Sequence, residues 1–266
     1  MTREFSTKTR LTSMFAAAAL VGTMTVGGAE AAPIPAGWSC VGNCGTEGAN
    51  GVVTLSPFGS PAYEWVSTND GINGVGQIGG AGGVDGSMLT TPLFTAAAGD
   101  VLSFYFNYVT SDGAGFSDYG WASLLDNTFA TSALLFTART TPTGNTVPGF
   151  GLPGLAPGVT LTPAATPIIP GGPAWSPLGG DSGSCFSTGC GYTGWIQMNY
   201  SILASGNYYL RIGVTNILDS AFDSGMAMDG ATIGGVTIGD SVPAPGALAL
   251  LGLGFLGLGA LRRRVR

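Results

Sequence analysis

Histidine is absent from the sequence, and its one lysine, Lys8, lies in the first ten residues. Without imidazole there is no Ser-His-Asp or Cys-His arrangement, no general base of the commonest kind and no histidine zinc ligand. Without lysine in the body of the chain, Schiff-base and Ser-Lys chemistry are excluded as well. Carboxylate-pair chemistry of the glycosidase type is what stays open. Cations are scarce altogether. Of the nine Lys and Arg, Arg3, Lys8 and Arg10 stand at the start and Arg262, Arg263, Arg264 and Arg266 at the end. Residues 32–241 keep only Arg139 and Arg211 against thirteen acids, a net charge near −11. That balance argues against nucleic acid as a partner, since phosphate binding needs clustered Lys and Arg. It is compatible with calcium, with neutral glycans and with simple solubility.

The cations that do occur mark two targeting segments. Arg3, Lys8 and Arg10 precede an apolar stretch from Leu11 to Val26, and Ala29-Glu30-Ala31 follows as an A-x-A site, so residues 1–31 read as a signal peptide cut by signal peptidase after Ala31. The alternative is an uncleaved anchor. At the other end, Val242-Pro243-Ala244-Pro245 opens onto an apolar run, Gly246 to Leu261, which stops at the arginine cluster. As a helix those sixteen residues reach roughly 24 Å, slightly short of the hydrocarbon thickness. Such a segment anchors marginally, with the arginines kept on the cytoplasmic side and the acidic domain outside. A Gly/Leu-rich core strand is the alternative, though four arginines in the last five residues suit it poorly.

The Pro-x-Pro start, short Leu/Gly/Ala helix and terminal arginines resemble the PEP-CTERM sorting signal of Gram-negative bacteria. The usual motif has Glu between the prolines, where this chain has Ala244. The resemblance implies recognition at Val242, Pro243 and Pro245, with Arg262, Arg263 and Arg264 as the stop. It further implies exosortase as a partner, removal of tail 242–266 after transient inner-membrane anchoring, and delivery to the cell surface or exopolysaccharide matrix.

Between the ends, strand-like alternation dominates and no long segment has a helical period. Leu102, Phe104, Phe106 and Tyr108 alternate with Ser103, Tyr105 and Asn107, predicting one buried and one wetter face. The stretches 196–202 and 208–214 repeat the pattern, and 52–56, 62–67, 87–94, 119–125, 132–139 and 226–238 do so more weakly. Nine short strands with Asp-Gly and Asn-Gly turns between them, Asp229-Gly230 among these, predict a single all-β domain over 32–241. The expected fold is an antiparallel β-sandwich, jelly-roll-like, flanked by an N-terminal signal helix and a C-terminal hydrophobic helix. Residues 141–183, rich in Pro and Gly, read as an insertion loop without secondary structure, mobile or packed across one sheet.

Four cysteines form two local pairs, Cys40 with Cys44 and Cys185 with Cys190. They are either two disulfides or jointly an all-thiolate zinc site, and an exported destination favours disulfides. Asp112 and Asp118, directly after the best strand, with Asp219, Asp223 and Asp229 near the last ones, offer oxygen ligands suited to calcium. The other reading is that each caps a turn through its side chain. Trp38, Trp65, Trp121, Trp175 and Trp195 are either core residues or sugar-stacking platforms; Trp121 and, in its Pro/Gly setting, Trp175 are the glycan-stacking candidates. The T-S-D-G turn after an aromatic strand, the D-Y-G-W strand and the late S-G-M-A-M-D-G strand resemble the jelly-roll, carbohydrate-module-like ectodomain of a PEP-CTERM subfamily. That resemblance implies fold and brings no catalytic residue. The expected function is an exported, non-enzymatic surface or matrix protein. A calcium-dependent carbohydrate-binding module is the alternative, and a carboxylate-dependent hydrolase the third reading.

Overall fold

A strand that alternates aromatic and polar residues buries one face against whatever partner it finds, and in this chain it becomes the centre of the fold. The structure, a computed structural model, describes residues 32–239. The signal segment with Ala29 and Ala31, and the tail with its expected membrane helix, lie outside the described residues. In chain order the described strands are β1 (Ser39–Val41), β2 (Asn43–Glu47), β3 (Tyr63–Ser67), β4 (Ile72–Asn73), β5 (Asp85–Thr90), β6 (Phe94–Ala96), β7 (Val101–Thr110), β8 (Tyr119–Asp126), β9 (Thr131–Ala138), β10 (Val159–Thr162), β11 (Ile169–Pro170), β12 (Gly191–Tyr192), β13 (Ile196–Ser201), β14 (Gly206–Thr215), β15 (Ser224–Ile233) and β16 (Val236–Thr237), with a 3-10 segment at Ser176–Asp181.

Two antiparallel sheets face each other, as the alternation predicts. One runs β1-β5-β14-β8-β9, with β4 on β5 and β6 on β14; the other runs β10-β13-β7-β15-β3-β2, with β12 on β7, β11 on β12 and β16 on β15. Between them lie Leu102, Phe104, Phe106 and Tyr108 of β7, Met198 of β13, Met226 of β15, and Leu210, Ile212 and Val214 of β14, each fully buried. Phe106 of one sheet stacks on Phe136 of the other at 3.8 Å between ring centres and 14° between planes. Each such side chain contributes about 1.5–3 kcal/mol by leaving water.

A second core covers the outer face of the β7 sheet, and here two expectations are corrected. Residues 141–183 are not without secondary structure. Val159-Thr160-Leu161-Thr162 forms edge strand β10 on β13, and the 3-10 segment lays Trp175 and Leu178 over Tyr63, Trp65, Val109 and Ala227. Flanking prolines hide so short an edge strand from a periodicity reading. Trp175, expected as an exposed stacking platform, is fully buried; its indole N–H donates to the Tyr63 hydroxyl at 3.0 Å and its ring meets Trp65 edge-on. Asn107, on the face of β7 expected to be wet, is buried as well and accepts the Thr193 hydroxyl at 3.3 Å.

Trp121 is corrected likewise. It lies on the outer face of β8, 5% exposed, with its N–H donating to the Gly76 carbonyl at 2.6 Å in the loop that covers it. Both indoles need a strand glycine beneath them. A Cβ at Gly213 would stand 2.6 Å from Trp121, and one at Gly225 would stand 2.5 Å from Trp175.

Two smaller expectations also change. Residues 52–56 are no strand: Val53 is buried in the second core, and the Val52 N–H is taken by the Ala174 carbonyl at 2.8 Å. Asp229-Gly230 is not a turn but the start of a register shift inside β15. Both cysteine pairs are disulfide-bonded. Cys40 sits on β1 and Cys44 on β2, so a bridge between residues four apart ties the edges of the two sheets together.

The cover by Trp175 sets a measurable expectation. Trp175→Ala destabilises the chain by about 3–5 kcal/mol in denaturant unfolding followed by circular dichroism, whereas Phe150→Ala, at a residue 72% exposed, stays within about 0.5 kcal/mol of wild type. Equal effects of the two would refute the second core.

Candidate functional site

The strand pairing sorts the loops to two poles. Where β7 ends at Thr110 it meets the start of β12 and of β15, and the neighbouring strands bring residues 68–70, 111–118, 139–150, 181–190 and 216–223 to the same pole. The described chain ends away from that pole. Ser39 pairs with Thr90 at the far end of β5, and Gly239 packs beside the Trp38 indole.

Three features occupy the loop pole. The first is a set of buried acids held without cations. Asp118, 1% exposed, accepts the Ile217 N–H at 2.9 Å and the Ser224 hydroxyl at 2.7 Å. Asp223 accepts the Thr68 hydroxyl at 2.9 Å, and Asp112 accepts the Gly113 N–H at 2.7 Å. Asp112 Oδ2 and Asn216 Oδ1 are buried without any partner. Burial pushes the Asp118 carboxyl well above the usual range, and the neighbouring charges of Asp112 and Asp223 add to the shift. Burial likewise raises Asp112 to about 6, with Asp219 adding, and Asp223 to about 6, with Asp181, Asp85 and Asp70 adding.

Of the five aspartates singled out in the sequence, Asp112, Asp118 and Asp223 are thus neighbours. Asp219 is exposed at their margin and accepts the Ala221 N–H at 2.9 Å, a turn cap. Asp229 is not part of the group: it lies in β15 and accepts the Ser56 hydroxyl. Among the described residues, no three His, Cys, Asp or Glu side chains converge as a ready-made metal centre.

The second feature is aromatic. Phe116 and Phe186, 40% and 48% exposed, meet edge-on at 5.6 Å, and Phe186 meets Phe222 at 5.0 Å. Phe222 and the exposed Leu218 have φ of 62° and 69°, a conformation that costs a non-glycine residue about 1–3 kcal/mol and clusters at ligand-binding loops. The Cys185–Cys190 bridge closes the loop that carries Phe186. Reading for tryptophan missed this trio. Its signal was present: Phe116-Ser117-Asp118, Phe186-Ser187-Thr188 and Phe222-Asp223-Ser224 each set a phenylalanine before small turn-forming polar residues.

The third feature is a cavity of about 770 Å³ whose lining includes Ser117, Arg139, Thr141, Thr143, Asn145 and Phe150. Arg139 follows β9 directly and is held there by its N–H to the Thr146 carbonyl at 3.0 Å. A smaller cavity of about 360 Å³ lies at the opposite pole, beside Trp38, Phe58, Glu64, Asp229 and Gly239. There burial raises Glu64 to about 7, with the charge of Asp229 adding.

Residues 241–264 match the PEP-CTERM protein-sorting motif. The chain carries a PEP-CTERM sorting signal. Val242, Pro243, Pro245 and Arg262–Arg264 all fall within the match, and Ala244 does not prevent it. The PEP-CTERM motif implies recognition by exosortase during export and a destination at the cell surface. Among curated proteins none matches the chain. Among solved structures, the K1 cleaved adhesin domain of Lys-gingipain (Kgp) from Porphyromonas gingivalis W83 is similar at 13% identity, covering 75% of this chain and 94% of that one, with a TM-score of 0.36. The K3 cleaved adhesin domain of the same protein is similar at 14% identity, covering 75% and 92%, again with a TM-score of 0.36. At that distance the likeness carries no inference about what the PEP-CTERM chain binds.

The buried acids set a pH dependence. Their folded-state values lie above the unfolded ones, so between 3.8 and about 6 for Asp112 and Asp223, and between 4.5 and about 7 for Glu64, the folded chain binds more protons than the unfolded chain. Stability is therefore greatest below that window and is lost as pH rises through it. The melting temperature should fall from about pH 4.5 to about pH 7.5. Asp118→Asn, which keeps the Ile217 bond, should flatten that slope and raise the melting temperature at the upper end. A melting temperature that climbs with pH would contradict the assignment.

Proposed function

We propose that this chain is a non-catalytic adhesive module of the cell surface or exopolysaccharide matrix, tethered at one pole and presenting its loop pole outward. The observation that carries the reading is the opposition of the poles: the chain leaves the described domain at Gly239 toward the sorting signal, while the aromatic and polar loops gather at the far ends of the same strands. The ten residues of β7 span roughly 33 Å between the poles. In this reading signal peptidase cuts after Ala31, residues 32–241 fold outside the inner membrane, and 246–261 hold the chain there as a transient helix until exosortase removes 242–266. The absence of histidine, and of lysine outside the leader, supports a non-catalytic role. So does the tying of the buried carboxylates at the loop pole to hydroxyls and amides.

A calcium-dependent module is the second reading, and the buried, partnerless Asp112 Oδ2 favours it. A cation there would draw its remaining ligands, of the six to eight that calcium takes, from backbone carbonyls and water.

Intact-mass analysis of the chain recovered from cells and from medium tests the first reading. The released form should begin at Ala32 and lack the residues after about Ser241, and Pro243→Ala with Pro245→Ala should leave full-length tail in the inner-membrane fraction. A full-length tail in released wild-type material would overturn it. For calcium, millimolar CaCl₂ should raise the melting temperature at neutral pH, EDTA should reverse the gain, and Asp112→Asn should remove it; identical melts in CaCl₂ and EDTA would exclude the site.

A further inference from the structure

The loop-pole cavity is built around a cation in a domain that has only two, Arg139 and Arg211. Thirteen acids lie in the same stretch, yet the side-chain partners of Arg139 are both backbone carbonyls: Ser117 O, reached by Nε at 2.7 Å, and Phe150 O, reached by Nη1 at 3.5 Å. Neither is a carboxylate. A guanidinium has five N–H donors in a fixed planar fork, so three remain without a protein acceptor among the described residues. The stem is also held. A Cβ at Gly149 would come within 2.9 Å of the Arg139 backbone N and Cβ, so the 146–150 segment is packed directly against it. The fork is oriented before any ligand arrives, which spares a ligand the entropy of ordering a long side chain.

Around this fork the lining is that of a sugar site. Thr141, Thr143 and Asn145 supply hydroxyl and amide groups at partly or fully exposed positions, and Phe150 offers an exposed ring as an apolar platform. The volume of about 770 Å³ falls within the range of small-ligand clefts. The surrounding charge narrows the ligand. A domain with a net charge near −11 repels a densely charged polyanion, but at physiological salt a single exposed charge is felt over only about 8 Å. One carboxylate can therefore reach Arg139 where a run of them is disfavoured.

We propose that the Arg139 cavity binds a carboxylate-bearing sugar unit, of the uronic-acid class, within an otherwise largely neutral glycan, the carboxylate lying bidentate on the guanidinium and the sugar ring on Phe150. This names a ligand class for the adhesive reading and rests on it. Arg and carboxylate match in planar two-point geometry, which Lys does not reproduce.

The test is isothermal titration of the mature chain recovered from culture with two probes: an oligosaccharide with one glucuronic acid per repeat, and the same oligosaccharide with that carboxyl reduced to the alcohol. The acidic probe should bind at least ten-fold more tightly. Arg139→Gln should abolish that preference in a chain that still melts cooperatively, Arg139→Lys should restore only part of it, and Phe150→Ala should weaken both probes about equally. Inorganic sulfate at equal ionic strength should compete less well than glucuronate. Equal affinity of wild type for the two probes, or an unchanged preference in Arg139→Gln, would overturn the Arg139 site while leaving adhesion intact. Binding of neither probe overturns the site and removes its support from glycan adhesion, whereas sulfate competing as well as glucuronate would reduce the cavity to a general anion site and overturn the sugar assignment.

Discussion

Between residues 32 and 241, thirteen carboxylates and two guanidinium groups cannot neutralise one another by pairing, and much of the structure follows from that shortage. A buried carboxylate without a cation must be held by neutral donors or take up a proton. Both responses are present. Glu47 accepts the Asn50 amide at 2.6 Å and the Ser176 hydroxyl at 2.7 Å, which ties the second core to β2. Asp223, Asp118 and Asp229 sit on Thr68, Ser224 and Ser56. The Ser and Thr content of the loops is thus an acid-holding device as much as a turn-forming one. The two arginines, in turn, take neutral partners: Arg139 the carbonyls beside its cavity, Arg211 the Thr90 hydroxyl at 2.8 Å and the face of Phe129 at 5.3 Å.

The same economy shapes the outer faces of the sheets. With few long charged side chains to lie over them, the sheets are covered by loops packed with tryptophan, Trp175 coming from the covering segment itself and Trp121 from strand β8 beneath its cover. A large flat ring set on a pleated surface needs room, which glycine supplies at Gly213 and Gly225. The high glycine content of the chain therefore has two sources, turns between strands and seats for indoles within them, and the second is invisible to a reading that treats glycine only as punctuation.

What the sequence disclosed depended on whether its signal was periodic. Strands with long alternation, β7, β13 and β14, stood within about two residues of their observed limits. Strands of two to four residues, such as β10 and β12, carry too little alternation to be seen and exist because a longer neighbour offers them an edge. The chemistry was harder to read. Grouping Asp112, Asp118 and Asp223 was legible because each flanks the end of a long strand at the same pole. Asp229 misled because a register shift inside β15 resembles a turn in sequence. Trp175 misled because Pro and Gly around it suggested a loop open to water, whereas the loop closes over a sheet and the indole faces inward. The tail was the most legible part, being read by composition and order rather than by packing.

β15 begins at Ser224, immediately after Phe222 and Asp223 of the loop pole, and the chain leaves its far end through β16 and Gly239 toward the sorting tail. A load applied between the loop pole at 216–223 and the segment that follows Gly239 would therefore pass through β16 and run lengthwise along a single covalent backbone. The hydrogen bonds that fix β15 to β7 on one side and β3 on the other would be loaded together in shear, not opened one at a time. The loop pole and the exit toward the sorting signal are joined by one ten-residue strand and the short β16 that folds back on it.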